Sequence, residues 1–286
     1  MSDLRRFSNP VLFNEWKMRM RTNRSPWIIL LYLLVLGVMT LTMIFFMTNG
    51  GSYYNPNDTR QLFMILSVFQ LGMIGFVVPG ITSGVISGER ERQTLSVLLT
   101  TNVSATRLIL GKWLASLSFM TFLVIATIPL YAIVFLYGGI SPAQVIKVFG
   151  FYVITMFGIG SIGVLMSTLI KRTGIATVVT YAVVFGFAIG SSVLAEIIKE
   201  FIRYQRRSGA MSSATMPDWP DLLHNFNPLY AMLNIFDEGP QLRIGNVDPY
   251  AVYCLFFGII TLFCLSLSIY LIQPVKPRFR KAKEEQ

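Results

Sequence analysis

Charge is scarce in this sequence. Of its 286 residues only 13% are Asp, Glu, Lys or Arg, about half of the roughly 25% found in a soluble globular domain. Metal-ligating side chains are fewer still: one histidine, His224, and two cysteines, Cys254 and Cys264. A structural zinc site draws four Cys or His ligands, so that class of site is unsupported. The two cysteines lie ten residues apart in one apolar run, too far to bridge on a single helix, and they say nothing about redox compartment. Also missing is the phosphate-cradling G-x-x-x-x-G-K-[ST] loop: Trp113 follows Gly111-Lys112, and Thr106 stands where the upstream glycine is needed. Gly158-Ile159-Gly160-Ser161-Ile162-Gly163 does match G-x-G-x-x-G. It sits inside an apolar run with no strand before it, which removes it as a nucleotide site. The chain has no TVGYG-like filter and no paired acid/base constellation, so neither a selective pore nor a membrane hydrolase is indicated.

What is abundant is apolar sequence, 53% of the chain, gathered in blocks rather than spread periodically. A bilayer core of about 30 Å takes roughly 20 apolar residues in helix. Six blocks meet that length: 27–47, 62–86, 112–137, 145–170, 174–198 and 250–272. The sequence therefore predicts an all-α integral membrane protein of six transmembrane helices forming one permease-like domain over 1–286. The first block is preceded by 26 residues and followed by Met47-Thr48-Asn49-Gly50 with no A-x-A site, so it is expected to be a retained anchor and not a cleaved signal.

The net charge is +10, but the basic residues sit at the ends of the apolar blocks and not on one soluble face. That excludes a nucleic-acid partner and reports orientation instead. Seventeen Lys and Arg fall in 1–26, 87–112, 171–172 and the tail after 272, against seven on the other side. Five of those seven lie in the long 199–249 segment, and long loops translocate largely regardless of charge. Both termini are expected in the cytoplasm of a cell with the chain in its plasma membrane.

No ionisable residue falls near the middle of a span, which argues against ion-coupled transport. Glu196, near the outer end of the fifth span, is expected to reach interfacial water. Ala182, Gly186 and Gly190 recur at four-residue steps and make a flat stripe suited to helix packing, within the subunit or between subunits. Gly163 and Ser167 do the same in the fourth span.

Two elements outside the spans carry pattern. Residues 8–25 place Glu15, Trp16 and Arg19 on neighbouring faces of a helix, the mixture expected of a segment lying along the cytoplasmic leaflet. The loop 87–111 begins with four alternating charges, Glu89 to Arg92, then sets Leu95, Leu98 and Leu99 at i, i+3, i+4 on a helix too short to span. A further helix is expected to start at Ser104 as N-cap and run into the third span. An exposed amphipathic helix held on rigid spans suits capture in another protein's groove.

This loop, Gly88-Glu89-Arg90-Glu91-Arg92-Gln93-Thr94-Leu95-Ser96-Val97-Leu98-Leu99-Thr100-Thr101 with Gly111-Lys112 after it, resembles the G-E-x-E-x-G-T-L-E-x-L-L-x-T-P…G-K signature of ABC type-2 exporter permeases. It departs at Gln93, Ser96 and Asn102, where that pattern has Gly, Glu and Pro. Asn14-Glu15-Trp16-Lys17 resembles the same family's connecting helix, and Asn227-Pro228-Leu229-Tyr230 its outer-loop segment. The resemblance implies that Gly88, Glu89, Glu91, Thr94, Leu95, Leu98 and Leu99 form a cytoplasmic coupling helix between spans two and three. It further implies a separate ABC ATPase docking there, with ATP and Mg bound on that partner and no cofactor on this chain. Six spans are half a transporter in this family, which implies a second permease subunit, identical or different. The 14-residue tail after Ile272 holds no nucleotide domain.

The segment 199–249 is the one sizeable part expected outside. Ser208 to Pro220 has the composition of a connector, whereas the 16 residues from Asp221 to Phe236 restore an apolar pattern at Leu222, Leu223, Phe226, Leu229, Tyr230, Leu233 and Phe236. That length suggests a re-entrant or interfacial helix broken at Pro228, with Asn227, Pro228 and Tyr230 a candidate outer gate; His224 is expected as an interfacial polar residue and not a ligand. The function expected is the permease subunit of an exporter driven by a separate ATPase. A non-transporting membrane scaffold or sensor using the same loop is its rival.

Overall fold

The computed structural model describes residues 24–48, 56–95, 104–136, 138–207, 223–237 and 248–273. Glu15, Trp16 and Arg19 of the expected interfacial helix, together with Leu98 and Leu99, lie outside the described residues. Within them the chain forms α1 (Arg24–Thr48), α2 (Pro56–Thr82), α3 (Ser87–Glu91), α4 (Ala105–Ala126) and α5 (Ile128–Leu136). These are followed by α6 (Pro142–Leu169), α7 (Thr173–Arg207), α8 (Pro228–Ile235) and α9 (Pro249–Ile272). Among the described residues six helical stretches are long and apolar enough to cross a membrane: Trp27–Phe46, Thr59–Glu91, Ala105–Leu136, Pro142–Leu169, Thr173–Gln205 and Pro249–Ile272.

Local chemistry sets the helix starts. Ser104 accepts a hydrogen bond from the Arg107 amide at 3.3 Å and caps α4. Ser141 and Gln144 form a reciprocal capping box ahead of α6, with Pro142 in the first turn, where a missing N–H costs nothing. Pro228 and Pro249 open α8 and α9 in the same way. The turn from α5 to α6 takes Gly138 and Gly139 at φ 85° and 84°, a region closed to most side chains.

Several spans differ in extent from the apolar blocks. The second ends as helix at Thr82 and passes through a turn before α3. The third begins at Ala105, so Lys112 lies two turns inside it, and it breaks at Thr127 between α4 and α5. Pro129, in the first turn of α5, has no N–H to continue the ladder. The Thr127 hydroxyl there meets the Gln70 side chain at 3.1 Å. The fifth span continues to Arg207, well past the residue 198 at which its apolar block ends.

The helix at the centre of the bundle is α6, with 67% of its most apolar stretch buried, against 17% for each of α1 and α7. Its glycines explain how neighbours reach it. A Cβ on Gly158 would strike the ring of Phe257 in α9; one on Gly160 would lie 2.8 Å from Leu117 in α4. One on Gly163 would overlap the Thr82 hydroxyl of α2. The G-x-G-x-x-G string is thus a three-way packing surface. Hydroxyls inside the spans turn back onto their own helix: Thr40, Thr82, Ser116, Thr155, Thr180, Thr261 and Ser268 each donate to the carbonyl four residues earlier. This satisfies them without water.

Candidate functional site

The alternating charges after the second span form a joint that reaches three different helices. The Glu89 carboxylate accepts from the Lys112 ammonium at 2.6 Å, tying α3 to α4. Those side chains are 22% and 5% exposed, so the pair is largely out of water. Arg90 donates to the Thr168 carbonyl at 3.2 Å, placing a cation over the C-terminal end of α6, where the helix dipole favours it. Glu91 accepts from the Thr173 amide at 2.9 Å and from its hydroxyl at 2.7 Å. It therefore puts a carboxylate on the N-terminal end of α7, the electrostatically complementary arrangement. Glu91 itself is exposed, beyond the apolar part of its span.

Uncharged bonds complete the joint. The Ser167 hydroxyl of α6 accepts from the amides of Ile86 at 2.8 Å and Ser87 at 2.9 Å, holding the turn into α3. Ser83 and Thr177 share a hydrogen bond of 2.8 Å, the second tie to α7. Gly88 lies beside Thr173, with room for a Cβ. Thr94 donates to the Glu89 carbonyl at 3.2 Å. Leu95 is 8% exposed and belongs to the bundle's apolar core. Gln93, where the signature has glycine, takes φ 58°, a left-handed conformation that glycine adopts without strain. The sequence pattern singled out the glutamates but not their partners Lys112 and Thr173. A lysine two turns inside an apolar helix was the available signal, since such a charge needs a counter-ion.

The other end of the bundle is covered by residues 223–237. From Thr173 to Ala188 is 15 residues of α7, about 22 Å along the axis, and there α7 meets Asn227. Its amide nitrogen donates to the Ala188 carbonyl and reaches the Ser191 and Ser192 hydroxyls at 3.1 and 2.7 Å. Its amide oxygen caps α8 by accepting from Leu229 N at 2.8 Å. Helical residues 223–225 give way to a turn at 226–227, and Pro228 opens α8, so the helical segment is broken there as expected. Phe236 is fully buried against Phe63, and Arg60 holds the Phe236 carbonyl and pairs with Asp237 at 3.5 Å. His224 is 1% exposed, its Nε2 3.5 Å from Glu196 and its ring 4.3 Å from Tyr230. Glu196 is thus exposed yet partnered. Replacing Asn227 with alanine removes both the cap and the tie to α7. We expect faster amide hydrogen exchange across 223–237, by about tenfold for a loss of roughly 1.4 kcal/mol, with the joint unaffected.

Ala182, Gly186 and Gly190 lie on an exposed face of α7, and a Cβ at either glycine would meet nothing within 4 Å. Gly163 and Ser167, by contrast, are consumed inside the chain. Among the described residues no three His, Cys, Asp or Glu side chains gather in a metal-binding group, and both cysteines are free thiols. No curated protein matches the chain. A family model described as ABC-2 family transporter protein matches residues 10–272.

Proposed function

The chain belongs to the ABC-2 family of transporter proteins, and from that premise we propose that it is the permease subunit of an exporter powered by a separate ATPase. Membership makes it a multi-pass membrane permease component that is not itself catalytic, with an ATPase as its usual partner. Export, docking through the 87–111 loop, a second permease subunit and cytoplasmic termini in a plasma membrane are the finer parts of the proposal. ATP and Mg are assigned to the partner, and this chain is assigned no cofactor.

The observation that carries this reading is the joint. Glu89, Arg90 and Glu91 follow one another in the chain, yet they hold α4, α6 and α7 respectively. A push on the loop therefore acts on several spans at once, which is what a nucleotide-driven partner needs for alternating access. Gly88, Glu89, Glu91, Thr94 and Leu95 are assigned to transmitting that push, and Leu98 and Leu99 to filling the ATPase groove. At the other end Asn227, Pro228 and Tyr230 are assigned to an outer gate, which their tie to α7 would move with the joint. The exposed Ala182, Gly186 and Gly190 face is assigned to contact with the second permease.

Purification of the tagged chain in mild detergent tests the docking. The wild type should retain a soluble subunit with Walker motifs, and Leu98→Asp should lose it while still inserting in the membrane. Equal recovery of the ATPase with Leu98→Asp would remove the docking assignment. A complex whose ATP turnover no transported compound stimulates would favour the scaffold reading.

A further inference from the structure

At the end of the bundle that carries α8, a cavity of about 340 Å³ opens between the first turns of α6, the end of α8 and the start of α9. Gln144, Lys147, Asn234, Asp237, Asp248 and Tyr250 line it. Three of these side chains are uncommitted in the fold. Asp248 occupies the cap position of α9 but makes no side-chain capping bond. Both amide atoms of Asn234 are buried without a hydrogen-bond partner. The Lys147 ammonium makes no ion pair among the described residues, whereas Asp237 already faces Arg60 at 3.5 Å. A free carboxylate, a free ammonium and an amide with an unused donor and acceptor share one concave surface of ligand-binding size.

That set matches a compact zwitterion. A primary ammonium can donate to Asp248 and to the Asn234 amide oxygen, while an anionic group accepts from Lys147 and from the Asn234 N–H. The surroundings point to the source. Ala251 lines the cavity, and Leu255, Ile259 and Leu262 continue the same face of α9 at helical spacing, 66%, 57% and 69% exposed. Charged groups at the margin above an open apolar stripe are the arrangement of a lipid headgroup above its chains. We infer that this cavity binds a primary-ammonium zwitterion of the phosphoethanolamine type, carried as the headgroup of a lipid in the adjacent leaflet. The site stands apart from the joint and does not depend on the transport reading.

Native mass spectrometry of the purified full chain with added phosphatidylethanolamine, phosphatidylcholine and phosphatidylglycerol tests it. Phosphatidylethanolamine should be retained about tenfold more tightly than the other two. Asp248→Asn and Lys147→Gln should each weaken its retention about tenfold. Neither side chain holds the fold, so both variants should keep the wild-type melting temperature. The wild-type selectivity is a test in itself should either variant fold poorly. Soluble phosphoethanolamine that displaces the lipid would support the zwitterion site with a soluble source. Its failure to displace retained phosphatidylethanolamine would support the lipid as the source. Equal retention of the three lipids, or variants that hold phosphatidylethanolamine as the wild type does, would overturn the inference.

Discussion

Gly163→Leu is expected to deplete folded protein from the membrane and to destabilise what remains by on the order of 3 kcal/mol. A Cβ there would overlap the Thr82 hydroxyl, lie 2.9 Å from the Thr82 Cβ and 3.4 Å from the Ser83 backbone nitrogen. Thr82 cannot swing away cheaply, because its hydroxyl is bonded to the Val78 carbonyl at 2.8 Å. Relief would have to come from separating α2 and α6. One turn further along α6, Ser167 holds the turn before α3, so the same displacement would loosen the joint. Gly75→Ala is the matched control, since nothing lies within 4 Å of its added Cβ. Fluorescence size-exclusion profiles and detergent melting curves of the two variants measure the difference. Indistinguishable curves would mean that α2 and α6 do not approach as closely as described.

The second large effect concerns Glu89. Removing its charge takes away the carboxylate that meets the largely buried Lys112 ammonium at 2.6 Å. Breaking one side of a largely buried ion pair costs on the order of 3 kcal/mol. Glu89→Gln should therefore lower the melting temperature of the isolated permease with no ATPase present. The double variant Glu89→Gln with Lys112→Met should recover most of the loss, because both members of the pair are then uncharged. A glutamate that served only to contact a partner would leave the isolated chain's melting temperature unchanged. Single and double variants that all melt together with the wild type would sink the internal role. In the intact complex, the double variant isolates the coupling question: stability restored with ATP-driven transport still lost would assign the pair to transmission.

Much of the architecture was legible in the residues alone. Twenty-residue apolar blocks cannot be buried in a chain of this size without a bilayer, and six of them are read directly. The helix start at Ser104 follows from capping chemistry that acts over three or four residues, its hydroxyl accepting from the Arg107 amide. The importance of 87–95 was visible as a charge run at the mouth of a span. The partners of those charges were not. Lys112 is 23 residues from Glu89, and Thr173 is 82 from Glu91; no local pattern links them. The break at Thr127 was also hidden, because Pro129 inside an apolar block signals a kink without saying whether a buried neighbour such as Gln70 will receive it.

The sequence by itself determined that this chain has six helices long and apolar enough to cross a membrane, and where each begins to within a few residues or turns. It did so because hydropathy and helix capping are properties of the residues on the spot. Only the tertiary structure decided which crossing is central. The blocks that became α6 and α7 are equally apolar, yet one is 67% buried and the other 17%. Lipid chains and protein interior are alike to a leucine, so hydropathy cannot sort the helices between them. The sorting falls to contacts made across the bundle: glycines that admit a facing side chain, hydroxyls that reach another helix, and charges whose partners are dozens of residues away.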